Sequence, residues 1–286
     1  MSTGFRFDQL WPFIDLALFP NSKEPVKQSI SFLTPPKEAV KKLSQASVIY
    51  IHPDGFDRWT DILLELQQAK PLPVKLIILA DSDYAFGDEH LEALLVFFPQ
   101  THFWIQNWCG DHERVKLLPI GVNATYRSTR SKTKELAISY FLTYEGFVHR
   151  EEYAQFLAKY PCLSEFRIPK VGFEEYCERV SECWFSLCPM GGGYDTYRFW
   201  ESLLVGTIPV VKKHPFFESL RQQYPKLPFL MLDQWTDLLE HLPVFNETTY
   251  LQFMKDSDCS CLFTEYWIQE FNSLREFSDT RGKVAV

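Results

Sequence analysis

Glycine is scarce in this chain, with 12 residues among 286, and cysteine is infrequent and odd in number, with seven. The cysteines form no C-x-x-C pair and no histidine spacing completes a zinc pattern, which argues against a disulfide framework and a structural zinc site. No apolar run approaches the ~18–20 residues of a membrane-spanning helix. We therefore expect reduced cysteines that serve as small apolar residues of an intracellular protein.

Positive charge is also in short supply. The chain has 29 lysines and arginines against 37 aspartates and glutamates, a formal net charge of −8. Proteins that bind nucleic acid or anionic membranes non-specifically are normally basic, so both partners are disfavoured. The first ten residues lack a basic stretch followed by an apolar one, so we expect no signal peptide and a cytoplasmic location. We also expect a monomer.

Short apolar segments alternate with amphipathic helices in both halves of the chain. In the first half the pattern predicts strands at 29–34, 46–52, 74–80, 101–106 and 115–122, and helices at 56–69 and 88–97. In the second half it predicts strands at 136–143, 183–188, 207–212 and 228–232, and helices at 149–160, 173–182, 196–205, 215–223, 234–241, 247–256 and 263–277. Continuous apolar strands alternating with helices are typical of parallel α/β sheets covered on both faces.

A polar, basic segment at 123–135 interrupts this alternation and is the predicted linker. It divides the chain into a first domain, residues 1–130, and a second, residues 131–262. The last segment, 263–286, is expected to be a helix that packs back on the first domain. Two such βα halves predict two Rossmann-like domains whose parallel sheets face a central cleft, with ligands beyond the carboxyl ends of the strands.

The most informative segment spans residues 183–212. A strand leads into three consecutive glycines, Gly191 to Gly193, and a helix begins near Asp195 or Thr196 and ends at Gly206. Glycines that leave backbone N–H groups open at a helix N-terminus form a site for phosphate or another anion.

Arg198 and Glu201 lie one turn apart on the same face of this helix. A cation in the first turn is unfavourable unless an anion, or Asp195, pairs with it. A carboxylate at Glu201 can accept two hydrogen bonds from a vicinal diol such as ribose. The combination favours a nucleotide diphosphate, although a surface carboxylate at Glu201 and a salt bridge of Arg198 remain alternatives. The segment matches neither the P-loop nor the G-x-G-x-x-G loop.

The run from Pro189 to Val211 contains a longer pattern, made of Gly191, Gly193, Asp195-Thr196, Arg198, Trp200-Glu201, Leu203, Gly206 and Ile208-Pro209-Val210-Val211. This pattern resembles the signature of exostosin-like glycosyltransferases (glycosyltransferase family 47). Phe141 to Arg150 and Val115 to Gly121 are similar to neighbouring parts of that family. The resemblance implies a GT-B fold with the nucleotide sugar in the second domain and the acceptor on the first. It also implies metal-independent transfer with inversion.

The resemblance implies a set of donor-binding residues: Arg150, Gly191, Gly192, Gly193, Asp195, Thr196, Arg198 and Glu201. The glycines and Thr196 would contact the diphosphate, the two arginines would neutralise it as it leaves, and Glu201 would hold the ribose. Met190 stands where the family often has arginine, so Arg150 or Arg198 must supply that contact.

An inverting transfer needs a general base for the acceptor hydroxyl. Carboxylates that follow strands of the first domain are the candidates, with Asp83 favoured, Asp81 next and Asp54 third. A capping or turn-forming aspartate is the structural alternative for each. Asp81-Ser82-Asp83 also fits a D-x-D sequence that could bind Mg²⁺ or Mn²⁺, although so short a motif often occurs by chance.

The sequence therefore predicts an inverting glycosyltransferase that needs no metal or other cofactor. It moves a sugar from a UDP-sugar, UDP-xylose or a UDP-hexose, to a hydroxyl of a glycan or glycoprotein. The alternatives are a non-catalytic module that binds nucleotide sugars or glycans, and a metal-dependent D-x-D glycosyltransferase. Aromatic side chains that could stack on sugar or uracil rings are Trp104, Trp108, Tyr144, Phe173 and Tyr194.

Overall fold

The computed structural model describes residues 4–19, 28–31, 34–54, 56, 59, 74–122, 130–139 and 148–281. These residues form two compact units, each built on one parallel sheet. The six-stranded unit consists of Arg6–Ile120 and Thr264–Val286, and the four-stranded unit consists of Met1–Phe5 and Gly121–Phe263. The predicted parallel α/β class, with two such units, is confirmed. The structural units divide at Ile120/Gly121, ahead of the predicted linker.

The six-stranded unit has the strand order β2-β1-β3-β4-β5-β6, all parallel. Its strands are β1 (Leu16–Leu18), β2 (Ser29–Ile30), β3 (Val48–Ile51), β4 (Leu76–Leu79), β5 (His102–Ile105) and β6 (Val115–Leu117). A 3-10 helix (Phe7–Phe13), α1 (Pro36–Leu43) and α2 (Asp88–Phe97) accompany them. Every residue of β1, β3 and β4 is buried, as expected of strands covered on both faces. Most of the helix predicted at 56–69 lies outside the described residues.

The four-stranded unit has the order β10-β9-β8-β7. Its strands are β7 (Lys134–Ile138), β8 (Cys183–Leu187), β9 (Ile208–Lys212) and β10 (Leu230–Leu232). The α-helices are α3 (Val148–Lys159), α4 (Phe173–Ser181), α5 (Tyr197–Leu204), α6 (Pro215–Gln223), α7 (Leu238–His241) and α8 (Glu247–Met254). The 3-10 helices are Pro161–Phe166, Trp235–Asp237, Leu242–Val244 and Ser260–Leu262. Because these strands are parallel, the connections to α3, α5 and α6 all leave from the carboxyl edge of the sheet.

Alternate residues of the central strands form the core of the four-stranded unit. Leu136 and Ile138 of β7, Phe185 and Leu187 of β8, and Ile208 and Val210 of β9 pack against Tyr153, Phe156 and Leu157 of α3. The same cluster includes Trp235, Leu238 and Phe245, so this period-two pattern places the side chains of one sheet face against α3 and the segments that follow β10. The packing fixes α3, and therefore its first turn, relative to the ends of the strands.

The last helix, α9 (Thr264–Arg281), belongs to the six-stranded unit. The Trp267 ring packs edge-on against Trp104 with 5.1 Å between centroids, and Phe271 contacts Phe13. Lys116 forms an ion pair with Glu270. Trp104 and Trp108, two of the candidate ring-stacking residues, are both buried in the core.

All seven cysteines are free thiols, and burial raises the pKa of Cys188 to about 11. Within the described part of the chain, no helix is long and apolar enough to cross a membrane.

Candidate functional site

The glycine loop connects β8 to α5 at the carboxyl edge of the four-stranded sheet. Gly191 and Gly193 are buried and Gly192 is exposed. The N–H of Gly191 donates to the carbonyl of Gly193 at 3.0 Å, which closes the loop on itself. This bond occupies the N–H that we expected to face a phosphate, so Gly191 has a steric role instead.

Of the two N-cap candidates in the sequence, Asp195 and Thr196, the N-cap residue of α5 is Thr196, with extended backbone angles (φ −136°, ψ 141°). Its side chain makes no capping hydrogen bond to the helix. A helix N-terminus that receives no bond from its own N-cap side chain retains a preference for an anionic group, because its first N–H groups carry partial positive charge.

Arg150, from the first turn of α3, reaches the glycine loop. A Cβ added at Gly191 would lie 3.0 Å from Nη2 of Arg150 and 3.5 Å from Cγ2 of Thr196. Glycine at 191 therefore leaves the space that the guanidinium occupies. Arg150 is far in sequence from Gly191 and Thr196, and the fold brings the three residues together at one point.

Asp195 supports the loop from inside. Its carboxylate accepts a hydrogen bond from the indole N–H of Trp200, and both side chains are buried. The buried carboxylate is therefore engaged within the protein, where it supports the loop. The bond ties the loop to the second turn of α5.

Glu201 is buried, with 7% of its surface exposed, and Arg198 is half-buried. The alternative that Glu201 is a surface carboxylate is therefore wrong. Burial raises the pKa of Tyr176 on α4 above its usual range; Glu201 adds to this rise and Arg198 opposes it. Both charged side chains of α5 thus act on the same tyrosine.

The four-stranded unit also contains buried hydroxyl groups, one of which is that of Tyr176. The side-chain oxygens of Ser139, Tyr176 and Ser186 have no hydrogen-bond partner of good geometry among the described residues. Ser139 nevertheless lies close enough to Tyr176 to lower the pKa of the phenol. An unsatisfied buried hydroxyl costs roughly 1–3 kcal/mol, so these groups mark a place where polar atoms of a ligand would be stabilising.

The three candidate bases lie on the six-stranded unit, after β3 and β4, and all three are exposed. Asp54 accepts a hydrogen bond from the Ser82 hydroxyl at 2.8 Å, which brings Asp54 to the segment that contains Asp81 and Asp83. The structure therefore gathers the three predicted carboxylates at one edge of the sheet.

The turn that carries these carboxylates has an unusual backbone. Asp81 has φ +64° and Asn107, after β5, has φ +51°, in the left-handed region that few residues other than glycine adopt. Hydrogen bonds from the Asp81 N–H to Gln106 (2.8 Å) and from the Asn107 amide to the Ser82 carbonyl (3.0 Å) hold it. Backbone of this kind is concentrated at functional sites. Among the residues described, no group of three or more acidic, histidine or cysteine side chains could hold a metal ion.

The remaining ring-stacking candidates differ in position. Tyr194 and Phe173 are half-buried in the four-stranded unit. Tyr144, together with residues 141–147 of the predicted strand and loop, lies outside the described residues.

Comparison with solved structures places the fold. The structure of Anabaena HepE in complex with UDP and glucose is similar over 94% of this chain and 94% of that chain, with 11% sequence identity and a TM-score of 0.50. The chain has the GT-B fold. An α-glucosyltransferase in complex with UDP and a 13-mer DNA aligns over 91% of this chain and 90% of its own, with 12% identity and a TM-score of 0.40. No protein-family model matches the chain, and no curated protein matches it. The resemblance to exostosin-like enzymes therefore rests on the motif residues, within a GT-B fold.

Proposed function

We propose that this GT-B chain is a glycosyltransferase that uses a UDP-sugar, UDP-xylose or a UDP-hexose, and glycosylates a hydroxyl of a glycan with inversion and without a metal. The observation that carries the proposal is the meeting of Arg150, Gly191 and Thr196 at the N-terminus of α5. A guanidinium beside a glycine loop and a helix N-terminus is a site for a diphosphate.

In the proposed site, Arg150 and Arg198 stabilise the negative charge that develops on the departing UDP. Preorganised positive groups at a leaving group lower the barrier because they need no reorganisation during the reaction. Gly192, Gly193 and Thr196 contribute polar groups from the loop and the helix N-terminus. Asp195 acts through its bond to Trp200, which holds the loop in shape.

Glu201 is proposed to accept hydrogen bonds from the ribose. Its small exposed area requires the ribose to approach closely, and the hydroxyls of Ser139 and Tyr176 would then gain polar partners. This arrangement would recognise the nucleoside as well as the phosphates.

The general base is proposed to be Asp83, with Asp81 and Asp54 as alternatives. The base removes the proton from the acceptor hydroxyl while the oxygen attacks the anomeric carbon, and the bond from that carbon to the UDP oxygen breaks. One step of this kind inverts the configuration.

Calorimetric titration with UDP, UDP-glucose and UDP-xylose tests the donor site. We expect micromolar to millimolar binding by the wild type and at least tenfold weaker binding by Arg150→Ala, since a hydrogen bond to a charged group contributes about 1.5–3 kcal/mol. Arg179→Ala is the matched control, because Arg179 pairs with Glu175 on the surface of α4. If the wild type binds none of the three ligands, the proposal is contradicted.

Transfer to glycan acceptors separates the alternatives. We expect Asp83→Asn to bind UDP with unchanged affinity but to transfer no sugar, and wild-type transfer to continue in EDTA. Binding without transfer by the wild type would favour the non-catalytic module. Loss of transfer in EDTA, restored by Mn²⁺, would favour the D-x-D mechanism.

A further inference from the structure

Two histidines and a tyrosine form a cluster over the carboxyl edge of the four-stranded sheet. His149 lies in the first turn of α3, Tyr194 lies in the glycine loop, and His214 is the N-cap residue of α6. The rings of Tyr194 and His214 have centroids 3.9 Å apart, and the His149 ring is 6.0 Å from Tyr194 and 5.9 Å from His214. The cluster thus joins three successive connections that leave this edge.

The hydrogen bonding of His214 assigns its tautomer. The backbone N–H of Phe216 donates to Nδ1 of His214 at 3.2 Å, so Nδ1 is an acceptor and the proton of the neutral ring is on Nε2. Burial, assisted by the nearby His149, lowers the pKa of His214 to about 4, and Glu218 opposes this effect. At neutral pH His214 is therefore an uncharged ring with one N–H left to donate.

The cluster offers hydrogen-bond donors, and two acidic side chains on α3 and α6 are engaged by lysines. Glu152 of α3 pairs with Lys212, and Glu218 of α6 pairs with Lys213 at 3.5 Å. The His149 ring makes no hydrogen bond within the described part of the chain, and its contacts there are with the rings of the cluster. A group that only accepts hydrogen bonds fits these surroundings, and a phosphate oxygen is such a group.

The cluster lies next to the proposed diphosphate position. His149 immediately precedes Arg150, whose guanidinium lies against Gly191, and Tyr194 directly follows the three glycines. The imidazole centroids are 5.9 Å apart, a separation that one oxygen atom can span when it accepts a hydrogen bond of ~2.7–3.2 Å from a nitrogen of each ring.

We propose that His149 and His214 bind the outer phosphate of the donor, the one that carries the sugar and leaves with the nucleotide. The inference rests on the proposed function, since it requires a nucleotide diphosphate at the glycine loop. It adds two imidazole contacts to the arginines already placed there, and it makes Tyr194 a residue that positions His214.

Calorimetry with UMP, UDP and UDP-glucose tests the inference on the full chain. His214→Asn keeps an oxygen for the Phe216 N–H and a good N-cap, but its amide N–H lies closer to the backbone than Nε2 and cannot reach the same oxygen. We expect His214→Asn and His149→Ala each to bind UDP and UDP-glucose about tenfold more weakly than the wild type, and UMP equally well. His149→Gln, which restores a side-chain N–H, should recover part of the UDP affinity. His241→Gln is the control and should match the wild type, because His241 ends α7 and its ring stacks on Phe245.

The outcomes are distinct. An equal loss for UMP, or no loss for UDP in either variant, would overturn the inference. A loss confined to UDP-glucose would assign the rings to the sugar and also overturn it. Far-ultraviolet circular dichroism and thermal unfolding show whether each variant is folded, and His149→Gln tests the same contact if His214→Asn is not. Wild type that binds none of the three nucleotides would refute the proposed function itself, a result that is visible before any variant is examined.

Discussion

Gly191 is the residue at which the donor-site hypothesis is most directly tested. Its missing side chain leaves the space for Arg150, while its own N–H is used within the loop. Substitution there changes the position of a guanidinium at the end of a flexible side chain and leaves the backbone geometry in place.

We expect Gly191→Ala to weaken UDP binding about tenfold while changing the free energy of unfolding by less than about 1 kcal/mol, because Arg150 can move by a few tenths of an ångström. Gly172→Ala is the matched control, since a Cβ at Gly172 meets no atom within 4 Å. Titration calorimetry and urea denaturation measure the two quantities. Unchanged UDP affinity in Gly191→Ala would remove Arg150 from the site.

His214 should also make stability depend on pH. Its pKa is about 4 in the folded chain and about 6.5 in an unfolded one, so the unfolded state binds the proton first as the pH falls. The free energy of unfolding should therefore decrease as the pH is lowered from about 6.5 to about 4, and no further below that range. Urea denaturation between pH 4 and 7 should show a smaller decrease for His214→Asn than for the wild type. Parallel curves for the two proteins would contradict this assignment.

At the scale of elements, two glycines with left-handed backbone angles lie between secondary-structure elements. Gly206 follows the C-cap residue of α5 with φ +72°, and Gly121 has φ +85°. A Cβ added at Gly206 would have its nearest neighbouring atom at 3.8 Å. A Cβ added at Gly121 would lie only 2.4 Å from the carbonyl oxygen of Phe5.

Alanine at these two positions should therefore destabilise the four-stranded unit to different extents. Gly206→Ala should lower the free energy of unfolding by about 1–2 kcal/mol, because alanine disfavours the left-handed conformation. Gly121→Ala should lower it further, because its Cβ also clashes with the backbone. Chemical denaturation of the two variants and of Gly172→Ala should rank them in that order. Equal losses at 121 and 206 would show that the chain near Phe5 moves freely.

Local patterns predicted the elements with continuous apolar runs. The helix at 215–223 has the predicted bounds, and the strand predicted at 183–188 ends one residue earlier, at Leu187. Strand β1 was missed because three buried residues show no periodicity, and α1 because the PKEAVKKL segment of this helix has few apolar positions.

The site was predictable where one segment carries it. The glycine loop and a helix start at Asp195 or Thr196 follow from local sequence. The burial of Glu201 does not, because it depends on the packing of α5 against the rest of the unit. The contact between Tyr194 and His214 had no local signal either. It arises because β8 and β9 are neighbours in the sheet, which brings the segments that follow them together.

At the scale of the whole molecule, the final helix completes the six-stranded unit. Trp267 is fully buried against Trp104, so Trp267→Ala should lower the free energy of unfolding by about 3–5 kcal/mol. Gln269→Ala, at an exposed position of the same helix, should change it by less than about 0.5 kcal/mol. Urea denaturation measures both. A small effect of Trp267→Ala would mean that α9 detaches without disturbing the sheet.

The path of the chain has a practical consequence for dissecting the gene. Phe5 donates its N–H to the Leu262 carbonyl at 2.7 Å and accepts from the Val122 N–H at 3.0 Å, so the N-terminal residues are part of the four-stranded unit, while α9 returns to the six-stranded one. Neither unit is one continuous stretch of codons. A clone ending at Ile120 would leave Trp104 without its partner ring, and a clone starting at Gly121 would expose the backbone groups that Phe5 satisfies. To obtain each unit alone in soluble form, the two parts must be co-expressed, or the N-terminal residues and α9 must be fused to the unit in which each one packs.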